Sequence, residues 1–460
     1  MISSGYLYLA TKADDSDLGW FRAIHFAIFA VLTGAIVQNL LQILNSYLFK
    51  IKMLRNFVTI VVLFLLHEYI CDENVDKKKT FSFEIRRYKT PTEHYLNYGE
   101  QLGPDFKQIL KMARDNDSIA LYRFLDDEFY GQIVIGHPGQ TLYVNFDTTW
   151  SYSWVMSSKC SSIKTIGCYF HRKYDHTKSS EYKKDGRPFA MDLGTYNLTG
   201  FYSYDNISIA HSNVTGQSFI EMVDVPYEFI INKADGVMGL GLQTDANYTP
   251  FFYTLLHQKK IKEPIFSIYL NRDRQSNRGG NVMLGFVDPK HIHKTKINGK
   301  IVADNFTYLS VENYAYWQFQ MDRVVVNDPK GENVVVCQNG CKAIADTSSN
   351  TIVGPQEDIF QIHDKIKAEE FFMHRYTVNC DTINKLPKID FILGGKNFTL
   401  VGEDYTVKMS YHSITLCLSA FVPAYTIQEQ DRWILGGAFL AKFYTVYNVQ
   451  EKTIGFVLSH

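Results

Sequence analysis

Val144-Asn145-Phe146-Asp147-Thr148-Thr149 and, far downstream, Ala343-Ile344-Ala345-Asp346-Thr347-Ser348 are two apolar runs that each end in Asp-Thr and a further hydroxyl residue. A single Asp-Thr after an apolar strand is commonly a turn or a cap, because both side chains bond readily to nearby backbone. The repetition carries the information. Each half also contains a later segment of two apolar residues and a glycine, Val237-Met238-Gly239 and Ile434-Leu435-Gly436. Two similar halves that each deliver one carboxylate to a shared interface build a pair of acids. Close carboxylates cannot both ionise, so they share a proton, and one serves as base while the other serves as acid. Such a pair can draw a proton from a water that attacks an amide carbon and protonate the carbonyl oxygen.

Outward from these runs the chain is built of short β-rich segments punctuated by glycine, at residues 130–136, 142–146, 236–239 and 282–285, with a second set at 317–321, 444–447 and 453–457. That texture predicts an all-β protein of two lobes, placed at 126–310 and 311–460, rather than alternating strands and helices. The length of 460 residues, with 46% hydrophobic and 21% charged, is that of a globular chain of two to three domains. The net charge of -1 leaves no field of one sign to hold nucleic acid or an anionic membrane surface. No cofactor or metal is expected.

Of the seven cysteines, Cys71 stands apart upstream, and Cys160, Cys168, Cys337, Cys341, Cys380 and Cys417 fall as near neighbours. Spacing alone leaves many pairings open. Proximity favours Cys160 with Cys168, Cys337 with Cys341 and Cys380 with Cys417. Zinc would need a second Cys or His pair near Cys337 and Cys341, and none is there. Sequons start at Asn116, Asn197, Asn206, Asn213, Asn247, Asn305 and Asn397. Together with the cysteines they predict an oxidising, glycosylating compartment. Apolar stretches lie at 23–41 and 57–66, and the second follows Met53-Leu54-Arg55 as a signal-peptide core would. Residues 1–52 are then an upstream extension, 53–71 a signal peptide, and 72–125 a pro-segment with Phe106, Ile109, Leu110 and Met112 on one helical face.

These motifs resemble the pepsin-like aspartic peptidases, and cathepsin D-like members in particular. The resemblance rests on Phe129-Tyr130-Gly131-Gln132-Ile133-Val134-Ile135-Gly136-His137-Pro138-Gly139-Gln140, Trp154-Val155, Phe266-Ser267-Ile268-Tyr269, Trp317, Gly354-Pro355 and Leu393-Gly394-Gly395. It continues through Glu403-Asp404-Tyr405-Thr406, Thr415-Leu416-Cys417-Leu418, Trp433-Ile434-Leu435-Gly436 and Phe443-Tyr444-Thr445-Val446. It spans about residues 129–458. It implies two β lobes with a peptide-binding cleft, a pro-segment that blocks the cleft at neutral pH, and endopeptidase action at acid pH in a monomer that is secreted or lysosomal. It also supports the three cysteine pairs and makes Asp147 and Asp346 the catalytic pair. Arg86, Arg87 and Lys89 are its candidate charge partners from the pro-segment.

Departures from the pattern predict reduced or lost activity. Active members carry Asp-Thr-Gly in both lobes, and here Thr149 and Ser348 stand at the glycines, where a Cβ crowds the pair. In the hairpin expected to fold over the cleft, Leu193 precedes Gly194 where the family has its flap tyrosine, and Tyr196 follows three residues on. A leucine supplies no phenol hydrogen bond. Trp150 and Asn350 replace small hydroxyl residues, and Gly437 stands where an acidic residue is usual. Two readings follow: an active, acid-dependent endopeptidase, its turnover reduced by these departures, or a silent homologue that binds peptides, ligands or proteins. Trp154, Trp317 and Trp433 are expected in packing, and His171 and His176 on a surface helix.

Overall fold

The computed structural model describes residues 80–88, 128–160, 166–192, 197–225, 229, 232–273, 276–312, 315–328, 331–372, 375–411, 414–424 and 432–460. The expected upstream extension, signal peptide, Cys71, Lys89, Asn116 and the helical face of the pro-segment lie outside the described residues.

Strands dominate, with short helices at Phe251–His257, Gln356–Ile366 and Gly437–Leu440. The alternation of side chains explains them. Along Gln140–Asp147, Leu142, Val144 and Phe146 are buried while their neighbours are more exposed, the period of a strand with one face on a core. The largest sheet among the described residues has thirteen strands. From Gln140–Asp147 it runs one way through Gly236–Gly239 and Trp154–Met156 to the long strands Ser212–Asp224, Asn197–Ile209 and Lys183–Asp192. The other way it passes Glu128–Ile135, Phe81–Tyr88, Arg278–Leu284 and Ile265–Leu270, then takes in Phe443–Asn448 and Thr453–Leu458 from the end of the chain. Phe81–Tyr88, from the expected pro-segment, is thus an interior strand, paired with Arg278–Leu284 and Glu128–Ile135. Smaller sheets of five and four strands make up the second lobe.

The two lobes repeat one local topology around the aspartates. Gln140–Asp147 runs parallel to Gly236–Gly239, with Asp147 opposite Gly239, and Trp154–Met156 crosses back antiparallel to that strand. Cys341–Ala345 runs parallel to Arg432–Leu435, and Ile352–Gly354 crosses back antiparallel. In each lobe the loop after the aspartate is squeezed against the end of the later strand. A Cβ on Gly239 would lie 2.6 Å from the Trp150 carbonyl oxygen, and one on Gly436 would lie 2.3 Å from that of Thr351. Only glycine fits there, which is why both repeated segments end in it.

Trp317 and Trp433 are fully buried and Trp154 nearly so, and the Trp317 indole donates to the Leu240 carbonyl at 3.0 Å, tying the second lobe to the first. Disulfides join Cys160 to Cys168, Cys337 to Cys341 and Cys380 to Cys417, so the thiols of Cys337 and Cys341 are committed.

Candidate active site

Asp147 ends its strand and is 2% exposed, and Asp346 follows Cys341–Ala345 and is 8% exposed. What brings them together is the next residue in each lobe. The Thr148 hydroxyl donates to the Ala345 carbonyl at 2.8 Å and accepts from the Thr347 amide at 3.1 Å. The Thr347 hydroxyl donates to the Phe146 carbonyl at 2.6 Å and accepts from the Thr148 amide at 3.1 Å. Each threonine thus satisfies buried backbone groups of the opposite lobe, and the arrangement is the same when the lobes are exchanged.

The residues after the threonines behave alike as well. The Thr149 amide donates to Asp147 Oδ1 at 2.7 Å, and its hydroxyl donates to the same oxygen at 2.6 Å. The Ser348 amide and hydroxyl both donate to Asp346 Oδ1 at 2.7 Å. Charge-assisted bonds of this length fix the carboxylate orientation. Their donors are a backbone N–H and a hydroxyl of one residue, so each carboxylate is oriented by its own loop.

A sequence profile of the eukaryotic aspartyl protease family matches residues 128–458. The chain belongs to that family. It is 37% identical to cathepsin D of Gallus gallus over 343 residues, 73% of this chain and 82% of the relative. To cathepsin D of Chionodraco hamatus it is 36% identical over 391 residues, 80% and 94% of the two chains. Renin of Ovis aries is 33% identical over 367 residues, 78% and 88%.

In this family member the ground beneath the pair is aromatic. Tyr447 is fully buried, its ring stacked on Phe266 at 4.6 Å and edge-on to Trp317 at 5.1 Å. Its hydroxyl faces the Thr148 side chain without reaching good hydrogen-bond geometry; burial pushes the phenol far above its ordinary pKa, the Thr148 side chain opposes the rise and the Asp346 charge adds to it. A buried hydroxyl without a well-formed hydrogen bond costs free energy. Tyr447→Phe is accordingly expected to raise stability by about 1 kcal/mol, read as a higher guanidinium midpoint at unchanged slope. A lower midpoint would mean that the hydroxyl has a bonded partner.

The flap residues Leu193, Gly194 and Tyr196 lie outside the described residues. The strands that flank them, Lys183–Asp192 and Asn197–Ile209, are paired from Asp192 and Asn197 downward. Phe189 and Tyr202 from those strands pack edge-on against Tyr152 at 5.6 and 6.5 Å. The Tyr152 hydroxyl donates to Asp245 at 3.3 Å, and burial raises its pKa. Trp150 stands 6.5 Å from Trp154.

Other residues fall differently from expectation. His171 is not on a surface helix: it is 8% exposed, with its ring nitrogen 2.7 Å from the Phe229 carbonyl. His176 does open a short helical turn, His176–Lys178, but its Nδ1 lies 2.9 Å from Glu221, which is fully buried. Glu221 also accepts from the hydroxyls of Ser157 and Ser203, each at 2.7 Å. The sequence held a signal for this network, since Glu221 interrupts the apolar run Phe219-Ile220-Glu221-Met222-Val223, and a charge in such a run needs partners. Arg87 is buried, donates to the carbonyls of Asp273 and Asn271, and lies over the Phe129 ring at 5.2 Å, which ties it to the sheet. Arg86 is exposed. Of the sequons, Asn197, Asn213, Asn247, Asn305 and Asn397 are exposed and Asn206 is half-buried. No cluster of potential metal ligands occurs among the described residues.

Proposed function

We propose that this family member is an acid-dependent endopeptidase of strongly reduced turnover, with Asp147 and Asp346 as the acid pair and peptide substrates in the cleft between the lobes. Thr148 and Thr347 hold the pair together, and Thr149 and Ser348 fix its orientation. The observation that carries the reduction is that a hydroxyl and an amide of the same residue both donate to one oxygen of each aspartate. A carboxylate has about four acceptor sites. About half of them are taken by the adjacent residue, where a glycine would use only its amide, and fewer remain for the attacking water and the substrate. At the limit of that reduction the chain binds peptides without cutting them. The exposed sequons and the disulfides support synthesis on the secretory pathway. Residues 53–71 are then the signal peptide and 72–125 the pro-segment, whose strand Phe81–Tyr88 pairs into the main sheet.

The test is cleavage of a quenched peptide at acid pH by the full chain from a secretory host, with and without pepstatin. Wild type is expected to show slow, inhibitable turnover. Thr149→Gly with Ser348→Gly is expected to raise it on the order of a hundredfold, the effect of small displacements at a reacting centre, and adding Leu193→Tyr should raise it further. Wild-type turnover equal to that of the glycine variant would overturn the reduction, and cleavage that survives Asp147→Asn would overturn the pair.

A further inference from the structure

Lys294–Ile297 and Lys300–Ala303 form a two-stranded antiparallel sheet of their own, paired to no other strand among the described residues. Every residue of both strands is exposed, and Ile297, Ile301 and Val302 show 53%, 73% and 45% of their surface to solvent. Free-standing hairpins are marginal in water, so this one needs its fastenings. At the tip, Asn298 and Gly299 both have positive φ, 49° and 79°, the backbone of the tightest hairpin turns. At the base, the His293 amide donates to the Leu458 carbonyl and the Asp304 amide to the His293 carbonyl, each at 2.9 Å. Asp304 also takes the Thr295 hydroxyl at 2.7 Å and sits 3.0 Å from the His293 ring.

The hairpin is therefore a fixed arm that carries apolar side chains into solvent. Its pairing puts Lys294, Lys296, Ile301 and Ala303 on one face and Thr295, Ile297, Lys300 and Val302 on the other. Both faces are thus cationic and aliphatic, and the two pairs next to the turn, Ile297 with Lys300 and Lys296 with Ile301, each join one aliphatic side chain to one lysine. Lys294, Lys296 and Lys300 make no ion pair or hydrogen bond among the described residues, and the nearby carboxylate of Asp304 is already engaged. A protein groove or a second sheet would cover one face and leave the other wet. An arm that carries aliphatic and lysine side chains side by side on both faces fits a medium that surrounds it, with the aliphatic groups among acyl chains and the flexible lysine stems reaching out to phosphates.

We infer that the 294–303 hairpin docks the protein on anionic phospholipid surfaces, with Ile297, Ile301 and Val302 entering the headgroup boundary and Lys294, Lys296 and Lys300 meeting lipid phosphate. The whole-chain charge of -1 rules out a long-range field of one sign, but it does not prevent three unpaired lysines from acting within a Debye length.

The test is flotation of the full chain with phosphatidylcholine vesicles, with and without phosphatidylserine. Wild type and variants carry the same upstream apolar stretches, so their difference isolates the hairpin. Lys294→Glu/Lys296→Glu/Lys300→Glu is expected to lower partitioning onto phosphatidylserine vesicles on the order of a hundredfold, from about a fivefold contribution per lysine. The three Gln substitutions should give a smaller loss, and Ile301→Asp about a tenfold one. Binding should weaken with added salt. The hairpin pairs with no other strand among the described residues, so unfolding midpoints should not move. Equal partitioning of wild type and the Glu variant overturns the inference, as does binding indifferent to phosphatidylserine. If Ile301→Asp converts a dimer to a monomer and leaves vesicle binding unchanged, the arm contacts a second copy and the inference fails.

Discussion

Thr148→Val and Thr347→Val are each expected to cost about 2–3 kcal/mol of stability, and the double variant about 4–6 kcal/mol. The hydroxyl of Thr148 serves the Ala345 carbonyl and the Thr347 amide, and that of Thr347 serves the Phe146 carbonyl and the Thr148 amide. Both threonines are buried. Valine keeps the shape and removes the hydroxyl, so each substitution strands one buried acceptor and one buried donor, and each stranded group costs roughly 1–3 kcal/mol. When two side chains bond only to each other, replacing both by apolar groups can restore stability. Here the partners are backbone, which no side-chain substitution removes, so the double variant cannot recover. Against a total stability of roughly 5–15 kcal/mol this loss is large. Chemical unfolding measures it, with Thr148→Ser and Thr347→Ser as controls that keep the hydroxyl and lose little. A double-variant loss below about 1 kcal/mol would mean that water reaches the stranded groups.

Acidification is expected to remove roughly 3 kcal/mol of stability through His363 alone. His363 sits in the helix Gln356–Ile366 and is 3% exposed, its ring 4.0 Å from that of Tyr376. One ring nitrogen lies 3.2 Å from the Phe421 carbonyl and 3.3 Å from the Ser419 hydroxyl, and Nδ1 has no partner. Burial pushes its pKa down to about 4, with the Phe421 carbonyl opposing. The folded state therefore holds this ring neutral where the unfolded chain, near its ordinary value of about 6.5, takes up a proton. Above the unfolded value the histidine contributes no penalty. Between about 6.5 and 4 stability falls by about 1.4 kcal/mol per pH unit, and below 4 the loss is complete. His291, stacked 3.9 Å from Tyr269 and likewise lowered to about 4 by burial, adds a loss of the same sign that Asp288 partly offsets. Comparing unfolding free energies at pH 7.5 and 4.5 for wild type and His363→Gln isolates the contribution, and the variant should lose about 2–3 kcal/mol less. An equal loss in both would mean that the ring is already charged in the fold. A family member expected to act in acid thus carries buried neutral histidines that weaken it there.

The pair of Asp-Thr runs was legible in the sequence because the constraint is local and repeated: an apolar strand, an acid, a threonine, and a glycine-ended strand to lie against it. The three disulfides were readable from proximity and family likeness together. Glu221 was not singled out and Arg87 was expected as a charge partner of the acid pair, because the groups that satisfy them come from distant segments, Ser157, Ser203 and His176 for one and the carbonyls of Asn271 and Asp273 for the other. His171 was expected on a surface helix rather than at a metal, yet it is buried with its ring nitrogen 2.7 Å from the Phe229 carbonyl, a contact 58 residues away in the chain. The sequence by itself determined the class of fold, the family and the two aspartates, all properties of short motifs and their periodicity. The tertiary structure alone decided how the aspartates are held. It takes folded lobes to bring the Thr148 hydroxyl to the Ala345 carbonyl, to turn the Thr149 and Ser348 hydroxyls onto the carboxylates, and to bury the Tyr447 hydroxyl without a well-formed hydrogen bond. Hydrogen bonds between residues far apart in the chain leave no periodic trace in it.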